Sequence, residues 1–176
     1  MLKPIILLLA SSVLALLGNL VNSTNAAENV QNVESMPIQI QSNSAEFDDK
    51  KGTATYKGDV IMQQGNRMMT SLELIIARDP QGKIDSMKAT GAPAYFYVKP
   101  ESDKPPVHGK ANNLQYFPKQ DKLLLLEEAE LIQNGDTVLG NYLIYSIATR
   151  VLSSRPVPGK NTTVILTPHP KSTLTQ

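Results

Sequence analysis

The sequence predicts an all-β chain, and three observations carry that reading. Short apolar stretches alternate with turn signals from Met36 onward, few windows keep helical spacing for three turns, and the order of strands and turns recurs once along the chain. A length of 176 residues with 41% hydrophobic content suits a single domain with its own core.

The elements follow in order. Ile38 and Ile40 alternate with glutamines, Ala45 and Phe47 come next, and residues 48–52 form a mixed-charge turn suited to a solvated loop. Over residues 53–63, Ala54, Tyr56, Gly58, Val60 and Met62 share one face while Thr55, Lys57, Asp59 and Gln63 share the other. Gln64-Gly65-Asn66 turns the chain, and the run Leu74-Ile75-Ile76 within 67–78 predicts a strand covered on both sides. Asp79-Pro80-Gln81-Gly82 is a turn, and Gly91-Ala92-Pro93 breaks the chain before the aromatic strand 94–98. After a proline-rich loop at 100–106, strands resume at Val107, and segments 142–152 and 162–167 close the fold as strands.

A shift of 69 positions, without gaps, lays residues 38–76 over 107–145. Asn43 then meets Asn112, Phe47 meets Tyr116, Met62 meets Leu131 and Gln64 meets Gln133. The apolar run 123–126 falls on 54–57 and is therefore read as a strand. The matched order implies similar β-hairpin units joined edge to edge, not a sandwich of unrelated strands.

The first residues read as an address. Lys3 gives a positive start, Ile5 to Leu17 is apolar but for Ser11 and Ser12, and a polar stretch leads to Ala26-Ala27, so residues 1–27 are read as a signal peptide cut after Ala26 or Ala27. The alternative is an uncleaved anchor extended by Leu20 and Val21, which Gly18, Asn19 and the polar run 22–25 weaken. Residues 28–36 then form a flexible segment, 37–168 the β domain and 169–176 a frayed tail.

Composition excludes several functions. The chain has no cysteine, which removes disulfides, a thiol nucleophile and a lipidated cysteine, and export without disulfides fits a bacterial periplasm. Lys3 is the only charge in 1–27, so its removal from 17 basic residues leaves 16 against 16 acidic ones. That balance, with scattered lysines, argues against a nucleic-acid partner. The two histidines, His108 and His169, sit in no metal-binding spacing, and no nucleophile elbow, P-loop or dinucleotide fingerprint occurs. Glu128 and Glu130 stand two apart on a strand, as water-facing carboxylates commonly do. The reading is therefore a non-enzyme with no cofactor and no metal. Met62, Met68 and Met69 suit a core gap, and equally a surface that accepts variable hydrocarbon chains.

The stretches "PIQIQS" from Pro37, "YKGDVIMQQG", "ATGAPAYFYVK" and "VHGKANNLQY" together resemble the OstA-like family of lipopolysaccharide-transport proteins, over nearly the whole span from Pro37 to Thr167. Each motif is loose, and their order makes the resemblance specific. The chain departs at Glu127-Glu128, where the family more often has a glycine-containing turn like Lys57-Gly58-Asp59, which leaves the local geometry there open.

The resemblance implies an open, twisted β-jellyroll of antiparallel strands whose apolar faces hold the acyl chains of lipopolysaccharide. It also implies head-to-tail self-association into a bridge between an inner-membrane LptC-like protein and an outer-membrane LptD-like protein. The family's groove positions fall on Ile38, Phe96 and Tyr116, and strand alternation adds Ile40, Phe47, Tyr56, Val60, Met62 and Leu131. Each of these residues fits an ordinary core position as well. Two rivals stand beside this expectation: an inner-membrane-anchored, LptC-like member of the same pathway, and a structural β-protein that polymerises by its strand edges without carrying lipid.

Overall fold

The computed structural model describes residues 33–100 and 104–168, so the expected signal peptide (1–27), most of the segment 28–36 and the expected tail lie outside the described residues. Ten strands form one antiparallel sheet. They are β1 (Gln39–Gln41), β2 (Ser44–Asp48), β3 (Thr53–Gln64), β4 (Arg67–Arg78), β5 (Ile84–Val98), β6 (Val107–Phe117), β7 (Lys122–Gln133), β8 (Asp136–Ser146), β9 (Val151–Ser154) and β10 (Thr163–Ile165). From β3 to β8 each strand pairs with the next; β1 and β2 share the outer edge of β3, and β9 and β10 share that of β8. The sheet is open, because neither edge pairs with the other.

The long strands all break register near their middles, between Lys57 and Val60, Thr70 and Glu73, Thr90 and Ala94, Lys110 and Asn113, and Leu126 and Ala129. An extra residue in one strand bends it, and breaks aligned across neighbours put a crease across the sheet. Burial shows the same line: on β4 the buried positions are Arg67 and Met69, then Leu74 and Ile76, and on β6 they are Val107 and Ala111, then Leu114 and Tyr116. The switch from odd to even numbers keeps the apolar side chains facing inward in both halves.

Contacts between strand ends show that the sheet folds over on itself. Gln133 pairs with Asp136 at one end of β8, and β8 has 11 residues, which span about 36 Å when straight. Yet Gln133 Nε2 donates to the carbonyl of Arg150, beyond the other end of β8, at 3.3 Å. The two halves of the sheet are therefore facing layers around one apolar core, and the expected open jellyroll is what the chain forms.

The repeat is present in the backbone. Under the shift of 69, β3 falls on β7, and the left-handed pair Gly58 (φ 78°) and Asp59 (φ 46°) falls on Glu127 (φ 64°) and Glu128 (φ 53°). The departure from the family's glycine thus leaves the geometry intact, with two glutamates in a conformation that L-residues avoid. In the first copy Asn43 fixes the bulge, its backbone N–H donating to the carbonyls of Lys57 and Gly58 and its side chain to Asp59.

Three expectations need correction. Leu74-Ile75-Ile76 is not covered on both sides, since Leu74 and Ile76 are buried and Ile75 is half-buried on the outer face of a single sheet. Gly91-Ala92-Pro93 does not separate two strands; it is the crease within the 15-residue β5, where the Ala92–Pro93 peptide is cis. Segment 142–152 is not one strand, because residues 147–150 turn and β9 folds back to pair with the end of β8.

The two bulges give opposite predictions. A Cβ at Gly58 would lie 2.5 Å from Asn43 Nδ2, on a left-handed backbone, so Gly58→Ala should destabilise the fold by about 1–3 kcal/mol. Glu127→Gly should stabilise it by up to about 1 kcal/mol. Denaturant midpoints measure both.

Candidate functional site

Register places the inward side chains in rows that run across the strands. One row of the first layer reads Ile40, Met62, Met69, Phe96, Gly109, Leu131, Val138 and Val164, from the edge at β1 to the edge at β10. The facing layer carries Phe47, Ala54, Ile76, Met87, Tyr116, Leu123, Tyr145 and Leu152, from β2 to β9. The layers touch where the Phe96 and Tyr116 rings lie 5.7 Å apart.

Of the predicted residues Ile40, Phe47, Met62, Phe96, Tyr116 and Leu131 lie on these rows and Ile38, Tyr56 and Val60 beside them, and burial divides them. Val60, Met62, Phe96, Tyr116 and Leu131 are each at most 1% exposed, deep in the interior. Ile38, Ile40 and Tyr56 are half-buried and pack against that core. Phe47 departs from the expected lining: it is 67% exposed. It belongs to the inner face by register, but β2 is an edge strand with nothing beyond it, so Phe47 only covers the Tyr56 ring, edge-on at 6.0 Å.

Met69, singled out in the sequence with Met62 and Met68, is buried; sequence reasoning left out Leu123, Leu125, Leu143 and Tyr145, which are buried as well. The repeat could have found all four of these, because Ala54, Tyr56, Leu74 and Ile76 map onto Leu123, Leu125, Leu143 and Tyr145. Sequence reasoning also left out Arg67, which is 7% exposed. Arg67 Nη1 donates to the Tyr116 hydroxyl, Nη2 lies 2.7 Å from Asp121 Oδ1, and the guanidinium sits 5.4 Å from the Tyr116 ring centre. A buried guanidinium is tolerable only with such partners. Burial pushes the Tyr145 hydroxyl above its usual range.

Strand ends from both layers border the long side opposite the crease, here called the mouth. One bank carries the row Gln64, Arg67, Val98, Val107, Gln133 and Asp136. The other carries the turns at 79–83, 118–121 and 147–150. Near β3 the mouth widens to a hollow of about 560 Å³ between Met36, Ile38 and Gln64 on one side and Arg78, Ile84, Pro118 and Lys119 on the other. Lys119 ties two turns of its bank together by bonds to Asp79 and Asp85, at 2.7 and 3.3 Å. The Asp79 carboxyl is held below its usual range, chiefly by the Lys119 hydrogen bond.

The remaining candidates lie outside the interior. His108 is exposed on the outer face, its ring 4.6 Å from that of Tyr97. Glu130 pairs with Lys110 at 3.0 Å, and Glu128 occupies the bulge. Among the described residues no group of three or more His, Cys, Asp or Glu side chains could hold a metal ion, and no helix is long and apolar enough to cross a membrane.

A family model described as "LptA/(LptD N-terminal domain) LPS transport protein" matches residues 39–151. The chain belongs to this family of lipopolysaccharide transport proteins. It is 34% identical over 127 residues to the lipopolysaccharide export system protein LptH of Pseudomonas aeruginosa, covering 72% of this chain and 73% of the relative. It is 29% identical over 134 residues to the lipopolysaccharide export system protein LptA of Escherichia coli K12, covering 75% and 71%. The crystal structure of LptH, described as the LptA-homologous periplasmic component of the lipopolysaccharide transport device of P. aeruginosa, superposes with a TM-score of 0.71 at 29% identity. That match covers 78% of this chain and 99% of LptH. The jellyroll expected from the sequence is thus the family's own.

Burial separates the site residues by their share in stability. Leu131→Ala should lower the unfolding free energy by about 2–5 kcal/mol, the usual range for a buried leucine. Phe47→Ser should change it by no more than about 1 kcal/mol. Chemical denaturation of the two variants checks both.

Proposed function

We propose that this protein is a periplasmic lipopolysaccharide-binding transport component. It holds the acyl chains against the apolar rows of the jellyroll and keeps the sugars outside. The observation that carries this reading is the continuity of those rows: apolar residues run from Ile40 and Phe47 at one free edge to Val164 and Leu152 at the other. A globular core ends inside its molecule, whereas these rows come out at both ends. An acyl chain of about a dozen methylenes gains on the order of 10 kcal/mol by leaving water. The family membership supports the same reading.

The free edges support the bridge. β10 has no strand beyond it, and Val164, Ile165 and Leu166 are exposed, the last at 71%. Such an edge pairs with another chain unless it is covered. Docking β10 on the β1–β2 edge of a second copy would join the apolar rows end to end. An LptC-like partner at the inner membrane and an LptD-like partner at the outer membrane would use the same two edges. Because the chain has no nucleotide-binding motif, the energy for directed movement comes from a partner.

One observation favours the strand-polymerising protein instead. Met62, Phe96, Tyr116 and Leu131 are fully enclosed, as they would be in an interior that never takes a ligand. A photo-crosslinking amino acid in growing cells separates the two readings. Placed at Phe96 or Tyr116 it should capture lipopolysaccharide, while at the exposed Lys57 it should not. Absence of capture at both inner sites, in protein that is exported and folded, would leave the structural polymer. For the edge, Val164→Lys with Ile165→Lys should abolish concentration-dependent self-association in sedimentation; unchanged association would move the contact elsewhere.

A further inference from the structure

A lipid-filled groove and the enclosed residues above conflict unless the two layers can part. The crease joins them along one side, so they open at the mouth. Three polar contacts tie the banks together there. Arg67 on one bank meets Asp121 and the Tyr116 hydroxyl of the other layer. Arg150 Nη2 donates to the carbonyl of Pro105 at 3.1 Å, and Gln133 Nε2 donates to the carbonyl of Arg150 at 3.3 Å.

The Arg67 contact differs from the other two. It is the only charge pair among them, and its arginine is almost wholly buried while the Asp121 side chain is 26% exposed. Its guanidinium lies over Tyr116, one of the residues proposed to meet lipid. It is also imperfectly made. The 2.7 Å approach to Asp121 is not aligned as a hydrogen bond, and Arg67 Nε is buried without a partner.

A buried ion pair is a poor device for stability alone, because apolar side chains of similar size often do as well or better. What a charge pair supplies is a contact that can exchange its partner for water. Asp121 is suited to that, standing at the solvent edge in a left-handed turn (φ 48°) just after the 3-10 turn Pro118–Gln120. Breaking the pair frees the Arg67 side chain to swing out and uncovers the Tyr116 ring.

We propose that the Arg67–Asp121 pair, closed over Tyr116, is a clasp that holds the mouth shut in the lipid-free protein and opens to admit acyl chains. The admission of lipid rests on the function proposed above; the closed clasp does not. It makes Arg67 a positioning residue that sets how readily the groove is entered.

The chain's lack of cysteine allows a clean test. Spin labels on Lys99→Cys and Gln120→Cys, exposed positions on opposite banks, report the width of the mouth by pulsed electron resonance. The full exported chain should give one short distance without lipid and a longer one with purified lipopolysaccharide. Arg67→Leu should shift the lipid-free distance towards the longer one and speed lipid uptake by about fivefold or more. Asp121→Asn, which keeps a residue tolerant of the left-handed turn, should do the same if the leucine variant folds poorly. The exchange Arg67→Asp with Asp121→Arg should restore the short distance, which a purely steric effect of position 67 would not. An unchanged lipid-free distance in folded Arg67→Leu and Asp121→Asn overturns the clasp. A mouth that widens in these variants while lipopolysaccharide leaves every distance unaltered keeps the clasp and overturns the lipid reading.

Discussion

The crease governs this molecule. A flat sheet as long as this one would expose one apolar face along its whole length, and no helix among the described residues covers it. The sheet covers itself instead, by bending each long strand at one aligned line. Two demands meet there: the strand must turn sharply, and its side-chain phase must stay inward on both sides of the bend. β3 and β7 meet both with two consecutive left-handed residues, and β4 and β6 with a switch in the parity of their buried positions. Core and mouth both follow from that line.

The proposed function asks the interior to reconcile two roles that usually exclude each other. A core is stable because its cavities are small, and a binding groove works because it has room. Under the proposed function the same rows would serve both, in closed and open arrangements of hinged layers. Methionine helps, since its unbranched thioether repacks at low cost. Met62, Met69 and Met87 are all fully buried. Glycine helps as well: in the row of Phe96 and Leu131 the place between them is Gly109, where a Cβ would come within 3.0 Å of Leu125 Cδ2.

Much of this was legible before the structure. The period-two face of β3 named Ala54, Tyr56, Val60 and Met62, and the turns at 64–66 and 79–82 fell where the strands end. The repeat carried the reading across the apolar run 123–126, which helical periodicity alone could have claimed. What could not be read has physical causes. A bulge shifts the phase of a strand without leaving a residue signature, so Gly91-Ala92-Pro93 looked like the end of a strand when it was a bend within one. Edge position is a property of topology, so Phe47 carried the same inward signal as Tyr116, its partner in the repeat, and ended up exposed. Arg67 had the opposite fault: a charge beside a turn reads as solvated, and only the folding over of the sheet brings Asp121 and Tyr116 to it.

The repeat and the open edges have a common logic. Two similar halves joined edge to edge make a unit whose free ends resemble its internal junction, so a further copy can extend it by the same backbone pairing. In such an array strand pairing supplies register and the apolar rows supply continuity. Both edges are divided by the crease, β1 and β2 at one and β9 and β10 at the other. A docking partner must therefore match both layers at once and follow the bend. A flat strand of another protein would satisfy one layer only, so under the proposed end-to-end joining the crease that builds the interior would also select what can be joined to its ends.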